Sequence, residues 1–167
     1  VNSTILNPDD FLGQPRVWTP ERNAQAWETI YHILVSNFSQ QGPAARLYIV
    51  CGVQGAGKST WIRNHAAFFA PSSCIIDAAL PGVRHRERAL MLAREHAVPA
   101  HAVWIDIALD VALQRNLSRA ADQQVPEAAL RNVHAIFEAP TVDEGFDHIH
   151  RVDATATSAG TPRPPTG

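Results

Sequence analysis

The chain is 167 residues long, 46% hydrophobic and 18% charged, with a formal net charge of −2 at pH 7. That predicts one domain with a proper core and excludes a basic nucleic-acid coat, which would carry a Lys/Arg stripe. No apolar run is long enough to cross a membrane and no signal peptide is visible, so a soluble, cytoplasmic protein with no membrane partner is expected.

Residues 1–17 mix Pro, Asn, Asp and Gly and read as a loop-rich leader. Thr19-Pro20-Glu21 starts a helix: an N-cap hydroxyl, Pro at the first helical position and an acid in the first turn. Trp27, Ile30, Tyr31, Leu34, Val35 and Phe38 continue it at helical spacing, up to about Gly42-Pro43. Leu47 to Cys51 is an unbroken apolar run of the kind buried on both faces of a parallel sheet. A Gly-rich loop follows, then a helix from about Lys58 to Phe69. Cys74-Ile75-Ile76-Asp77 reads as a short strand ending in an acid, Arg84 to His96 as helix, and Ala102 to Ile105 as a strand ending at Asp106. Leu109 to Ala121 is expected to be helical, as is the stretch from Val125-Pro126-Glu127 to about Glu138; His148 to Val152 is the last strand.

Strands alternating with helices predict an α/β fold with a mostly parallel sheet and helices on both faces. The expected organisation is a leader and covering helix over 1–45, a core over 46–153 and a flexible tail over 154–167, rich in Thr, Ala, Pro and Gly. Cys51 and Cys74 each lie in a buried-strand run and read as reduced core thiols.

Gly52-Val53-Gln54-Gly55-Ala56-Gly57-Lys58-Ser59 matches G-x-x-x-x-G-K-[ST], preceded by the buried strand and followed by the helix that this motif requires. Its chemistry is phosphate binding. Glycines let the backbone wrap an anion so that successive N–H groups point inward, and the following helix adds its positive end. Lys58 reaches the β and γ oxygens of a nucleoside triphosphate. Ser59 offers a hydroxyl to Mg²⁺, with Thr60 beside it. ATP and Mg²⁺ are therefore the expected ligands, held over Gly52 to Thr60. The chain has thirteen Arg and one Lys, and the Lys is Lys58. That excludes a GTPase, whose guanine-recognition motif needs a second Lys.

With these pieces the chain resembles the kinase part of the polynucleotide kinase family, among the P-loop kinases, over roughly Leu47 to Val152. The resemblance is carried by Gly57-Lys58-Ser59-Thr60-Trp61, the strand ending at Asp77, Arg115-Asn116-x-x-Arg119, Val125-Pro126-Glu127 and Pro140-x-x-x-Glu144-Gly145-Phe146-Asp147. It implies a three-layer P-loop kinase fold and transfer of the γ-phosphate of ATP to a hydroxyl: a nucleic-acid 5′ end, a nucleotide or a small metabolite. It implies that Arg119 contacts the donor phosphates from a lid, with Arg115 one turn earlier. The helical spacing of that pair equally suits two solvated arginines. Glu144 to Asp147 is architectural by the same resemblance, with Phe146 packing and Gly145 permitting a turn.

The sequence also departs from that family. The family carries an Asp-x-x-Arg segment between the P-loop helix and the next strand, whose Asp is the general base. Here only Ala70, Pro71, Ser72 and Ser73 stand there, and Ala78-Ala79 follow Asp77 where the longer enzymes have Thr-Asn. Asp77 is left as the strongly placed acid, either organising Mg²⁺ or taking the acceptor proton, unless it is a turn residue. Asp106 is a turn residue or a weak second site. The basic run Arg84-His85-Arg86-Glu87-Arg88 is an acceptor clamp, through Arg84 and Arg88 on one helix face, or a solvated surface. The histidines lack partners for a metal site. The competing function is an ATP-binding module without transfer activity.

Overall fold

The computed structural model describes residues 3–155. The tail expected from residue 154 lies outside them apart from Ala154 and Thr155. Ten regular elements follow one another: β1 (Thr4–Leu6), α1 (Pro20–Gln41), β2 (Arg46–Cys51), α2 (Lys58–Asn64), β3 (Ser73–Asp77), α3 (Val83–Glu95), β4 (Ala100–Asp106), α4 (Leu109–Leu117), α5 (Glu127–Ala135) and β5 (His148–Asp153). The strands form one sheet in the order β1-β3-β2-β4-β5, with every neighbouring pair parallel. This is the α/β architecture of a P-loop kinase, with the sheet entirely parallel where a mostly parallel one is expected.

Strand periodicity divides the core into two layers. Leu47, Ile49 and Cys51 of β2 and Cys74 and Ile76 of β3 face Ile30, Leu34 and Phe38 of α1 and Ala89, Leu90 and Ala93 of α3. Tyr48, Val50 and Ile75 face the opposite way, with Trp61 and Ile62 of α2, Ala112 of α4 and Leu130 of α5. Both cysteines are buried and free. Burial pushes each thiol up to about 12, so neither is a nucleophile near neutral pH.

The start of α1 follows the sequence rule: the Thr19 hydroxyl accepts from the Arg22 amide, and Pro20 opens the helix. Three expectations need correction. The leader is not all loop. Thr4–Leu6 is an edge strand paired with Cys74–Ile76, and Leu6 is in the core, so the sheet begins inside the segment set apart as 1–45. The helix after the phosphate loop stops at Asn64 and gives way to a 3₁₀ turn over Ala66–Phe68. That turn drives Phe68 and Phe69 into an edge-on cluster with Tyr48. The helix from Leu109 ends at Leu117, with a separate 3₁₀ turn at Ala121–Gln123. Among the described residues no helix is long and apolar enough to cross a membrane.

Candidate functional site

The sheet order places the site. From the central strand β2 the chain crosses to β3 on one side, and from β3 it crosses back over β2 to β4 on the other. A crevice opens where such crossovers diverge, at the carboxyl ends of the strands. The loop of residues 52–57 leaves β2 at that point.

The backbone of this loop is built for close approach. Gly55 has φ +79, and a Cβ there would stand 2.8 Å from the Ala112 carbonyl oxygen of α4. A Cβ on Gly52 would meet the Ile105 carbonyl oxygen of β4 at 2.6 Å. Both glycines let the loop lie flat against β4 and α4. The first amides of α2, from Lys58 onward, have no intrahelical acceptor and open toward the same loop. The buried Gln54 Oε1 makes no hydrogen bond among the described residues. Lys58 Nζ donates to the carbonyls of Gly52 at 2.9 Å and Val53 at 3.2 Å. Burial lowers the Lys58 pKa, the charge of Asp77 raises it and that of Arg119 lowers it. One lysine thus lies within electrostatic reach of both an acid and a guanidinium.

Asp77 is two residues from Ile75 along β3, shares its face and so points to the α2 side of the sheet. Its carboxylate is buried and accepts from Ser59 Oγ at 2.5 Å. A hydroxyl and a carboxylate in contact, one residue from a lysine in a glycine-rich loop, form a hard oxygen donor pair that suits Mg²⁺. With the open loop amides and Lys58, the site fits a triphosphate and its metal. Thr60 is turned outward, and its Oγ1 accepts from Arg63.

The arginines divide. Arg115 Nη1 donates to the Ala56 carbonyl of the loop at 3.2 Å, and Nη2 donates to the Ala154 carbonyl past β5 at 3.1 Å. Arg119 lies beyond the end of α4 and is exposed. The two therefore do not share the face of one continuous helix, as their spacing predicts. Arg84 is exposed, with no hydrogen bond or ion pair among the described residues. Arg88 instead closes a bidentate pair with Glu28 of α1, and its guanidinium sits 4.2 Å from the centre of the Tyr31 ring. It ties α3 to α1 and is not available as a clamp with Arg84. Asp106 is engaged by Arg151 through Nε and Nη2.

Sequence reasoning passed over the middle arginine of the basic run. Arg86 is fully buried and pairs with Glu144 through Nε at 2.7 Å and Nη2 at 2.9 Å. Glu144 also accepts from the Thr141 amide. Gly145 lies at φ +113 and Phe146 is in the core. The signal was the Glu-Gly-Phe-Asp segment itself, an acid in a buried-looking piece of chain with no partner assigned to it.

Parts of this chain are shared with known proteins. A family described as an AAA domain matches residues 67–140, a stretch that holds Asp77, the basic run, Arg115 and Arg119 but starts after the phosphate loop. A bifunctional polynucleotide phosphatase/kinase of Schizosaccharomyces pombe is 28% identical over 83 residues, covering 48% of this chain and 20% of that protein. The chain therefore spans about a fifth of the length of the curated relative it matches. With the fold and the loop geometry, these similarities describe a P-loop, kinase-like protein.

Proposed function

We propose that this chain is an ATP-dependent phosphotransferase that moves the γ-phosphate to a hydroxyl acceptor. The observation that carries the reading is the contact between Ser59 and Asp77 beside Lys58 in one glycine-walled loop. Phosphoryl transfer asks mainly for positioning and charge neutralisation, and these three residues supply both. Ser59 and Asp77 would hold Mg²⁺, which when bound neutralises charge on the phosphate oxygens. The Lys58 ammonium exchanges two backbone carbonyls for phosphate oxygens. Arg119, already within reach of the Lys58 charge, adds a second cation to the donor side, and Arg115 steadies the loop from its other end.

The acceptor oxygen forms its bond to the γ-phosphorus as the bond to the leaving ADP oxygen breaks. Asp77 either receives the acceptor proton or serves the metal alone. Arg84, exposed on the first turn of α3 and without a partner among the described residues, is the residue we assign to the acceptor. The name of the fission-yeast relative brings a nucleic-acid end into the set of acceptors, beside nucleotides and small alcohols.

The test is transfer of label from γ-labelled ATP with Mg²⁺ to 5′-hydroxyl DNA and RNA oligonucleotides, nucleosides and sugars. Label on one class, reduced at least ~100-fold by Lys58→Ala, supports the reading and names the acceptor. A protein that binds ATP yet labels nothing overturns it in favour of a nucleotide-binding module without transfer activity. One observation favours that second reading: the stretch between α2 and β3, residues 65–72, contains neither Asp nor Arg.

A further inference from the structure

The four residues that follow Asp77 are each fixed by a bond to a different part of the molecule. The Ala78 amide donates to the Val50 carbonyl of β2, and the Ala79 carbonyl accepts from Gly52, the first residue of the phosphate loop. The Pro81 carbonyl accepts from the Glu138 amide at 2.6 Å. These three ties are backbone to backbone and need no particular side chain. The fourth is different. The Leu80 carbonyl accepts from Arg86 Nη1 at 2.9 Å, and Leu80 has φ +43, a left-handed conformation for a residue with a Cβ. A side chain thus holds the strained residue of the segment that leads from Asp77 to α3 and that touches the phosphate loop at Gly52.

Arg86 and Glu144 are 0% and 4% exposed as side chains. Burying two charges is costly, and apolar residues of similar size often give equal or better stability at such a position. An apolar pair fills the volume but cannot donate to Leu80. The guanidinium can, because its planar fork makes two bonds to Glu144 and keeps a third donor for the loop. The Arg86 charge also reaches Cys51, the last residue of β2 before the phosphate loop.

We infer that Arg86 is a positioning residue for the candidate phosphate site: anchored by Glu144, it holds Leu80 in its left-handed conformation and so sets Asp77 against Ser59. The inference rests on the reading above that Asp77 serves the phosphate loop.

The test compares wild type with Arg86→Lys, Arg86→Met and the double variant Arg86→Met/Glu144→Met. Each is followed by urea unfolding, by hydrogen exchange at the amides of Gly52 and Ala78, and by affinity for a fluorescent ATP analogue with Mg²⁺ and with EDTA. Arg86→Met leaves a bare buried carboxylate and is expected to be the least stable. The double variant removes both charges and recovers most of that loss, short of the bonds to Leu80 and Thr141. In that recovered protein the two amides exchange about tenfold faster than in wild type. The gain in nucleotide affinity on adding Mg²⁺ falls by about tenfold, while affinity in EDTA is unchanged. Arg86→Lys keeps the charge but lacks the third donor geometry, and it shows the same exchange defect.

Wild-type exchange at Gly52 and Ala78 in the stable double variant would overturn the inference and leave Arg86 as half of a buried pair. If wild type binds no nucleotide, the proposed function falls. The exchange measurement, which needs no ligand, still decides whether Arg86 holds the Asp77 segment.

Discussion

Gly55 brings the backbone of the phosphate loop against that of α4. Its Cβ position, 2.8 Å from the Ala112 carbonyl oxygen, is backbone against backbone and cannot be relieved by turning a side chain. Gly55→Ala adds that clash to a φ of +79, so either the loop or α4 must move. The expected result is loss of at least ~10-fold in nucleotide affinity, with destabilisation of about 1–2 kcal/mol, read by titration and by urea unfolding. His101 offers a residue-scale test away from the site. Its Nδ1 is buried with no hydrogen-bond partner among the described residues, and its ring stacks on Tyr48 and His148. Burial first, then the charge of His148, lowers its pKa to about 4, against an opposing pull from Asp147. The folded pKa is below the unfolded one, so the neutral ring contributes stability that is present above about 6.5 and lost as pH falls toward 4. Full effect is about 3 kcal/mol. The urea midpoint of wild type should drop between pH 7 and 4.5, and His101→Gln should flatten much of that drop; an unchanged slope would mean that other groups govern it. The glycines, Lys58 and Ser59 were legible because a phosphate-binding loop fixes their order. Asp77 was legible because it ends a buried strand. Arg88 was misread because helical spacing says which residues share a face but not which partner they take. Its partner, Glu28, lies sixty residues away in sequence, and only the packing of α1 on α3 brings the two together.

At the scale of elements, the turn from the end of α4 toward α5 is held by Gln124, whose Nε2 donates to the Leu117 and Arg119 carbonyls, and by Asn116. Asn116 is buried; its Nδ2 donates to the Val125 carbonyl at 2.7 Å and its Oδ1 accepts from the Val125 amide at 3.0 Å. This reciprocal pair explains why α4 stops at Leu117, when its apolar spacing continues to Ala121. Past Asn116 the chain turns to return Val125, and the helical bonds give way to the side chain. Asn116→Ala would leave both Val125 groups to find other partners, at a cost of about 1–3 kcal/mol. Because Arg119 sits in the turn between the two elements, the variant is also expected to weaken nucleotide binding more than its loss of stability explains. Thermal unfolding and nucleotide titration on the same sample separate the two effects. The long periodic helices and the three apolar strand runs were readable from sequence to within a residue or two. The ends of α2 and α4 were not, since both are set by tertiary contacts: the aromatic cluster around Tyr48 in one case and Asn116 in the other.

At the scale of the whole molecule, a parallel sheet with β2 at its centre puts the phosphate loop at the point where the crossovers diverge, so topology alone fixes where ligand must enter. It also fixes which segments are structurally necessary. β1 is three residues long, too short for any periodic signal, and it lies in a stretch whose Pro, Asn and Asp content predicts loop. Yet β1 covers the edge of β3, the strand that carries Asp77, and Leu6 is 2% exposed within the layer formed by α1 and α3. If β1 is an integral strand, Leu6→Ala should cost about 2–4 kcal/mol, lowering the urea midpoint with no change in the slope of the transition, because the whole sheet unfolds as one unit. It should also speed hydrogen exchange along Ser73–Asp77. If residues 3–12 are an appendage, the midpoint stays at the wild-type value and faster exchange is confined to residues 4–6. The first outcome ties the edge strand energetically to the acid at the candidate site. The second would return the leader to the loop that its composition suggests.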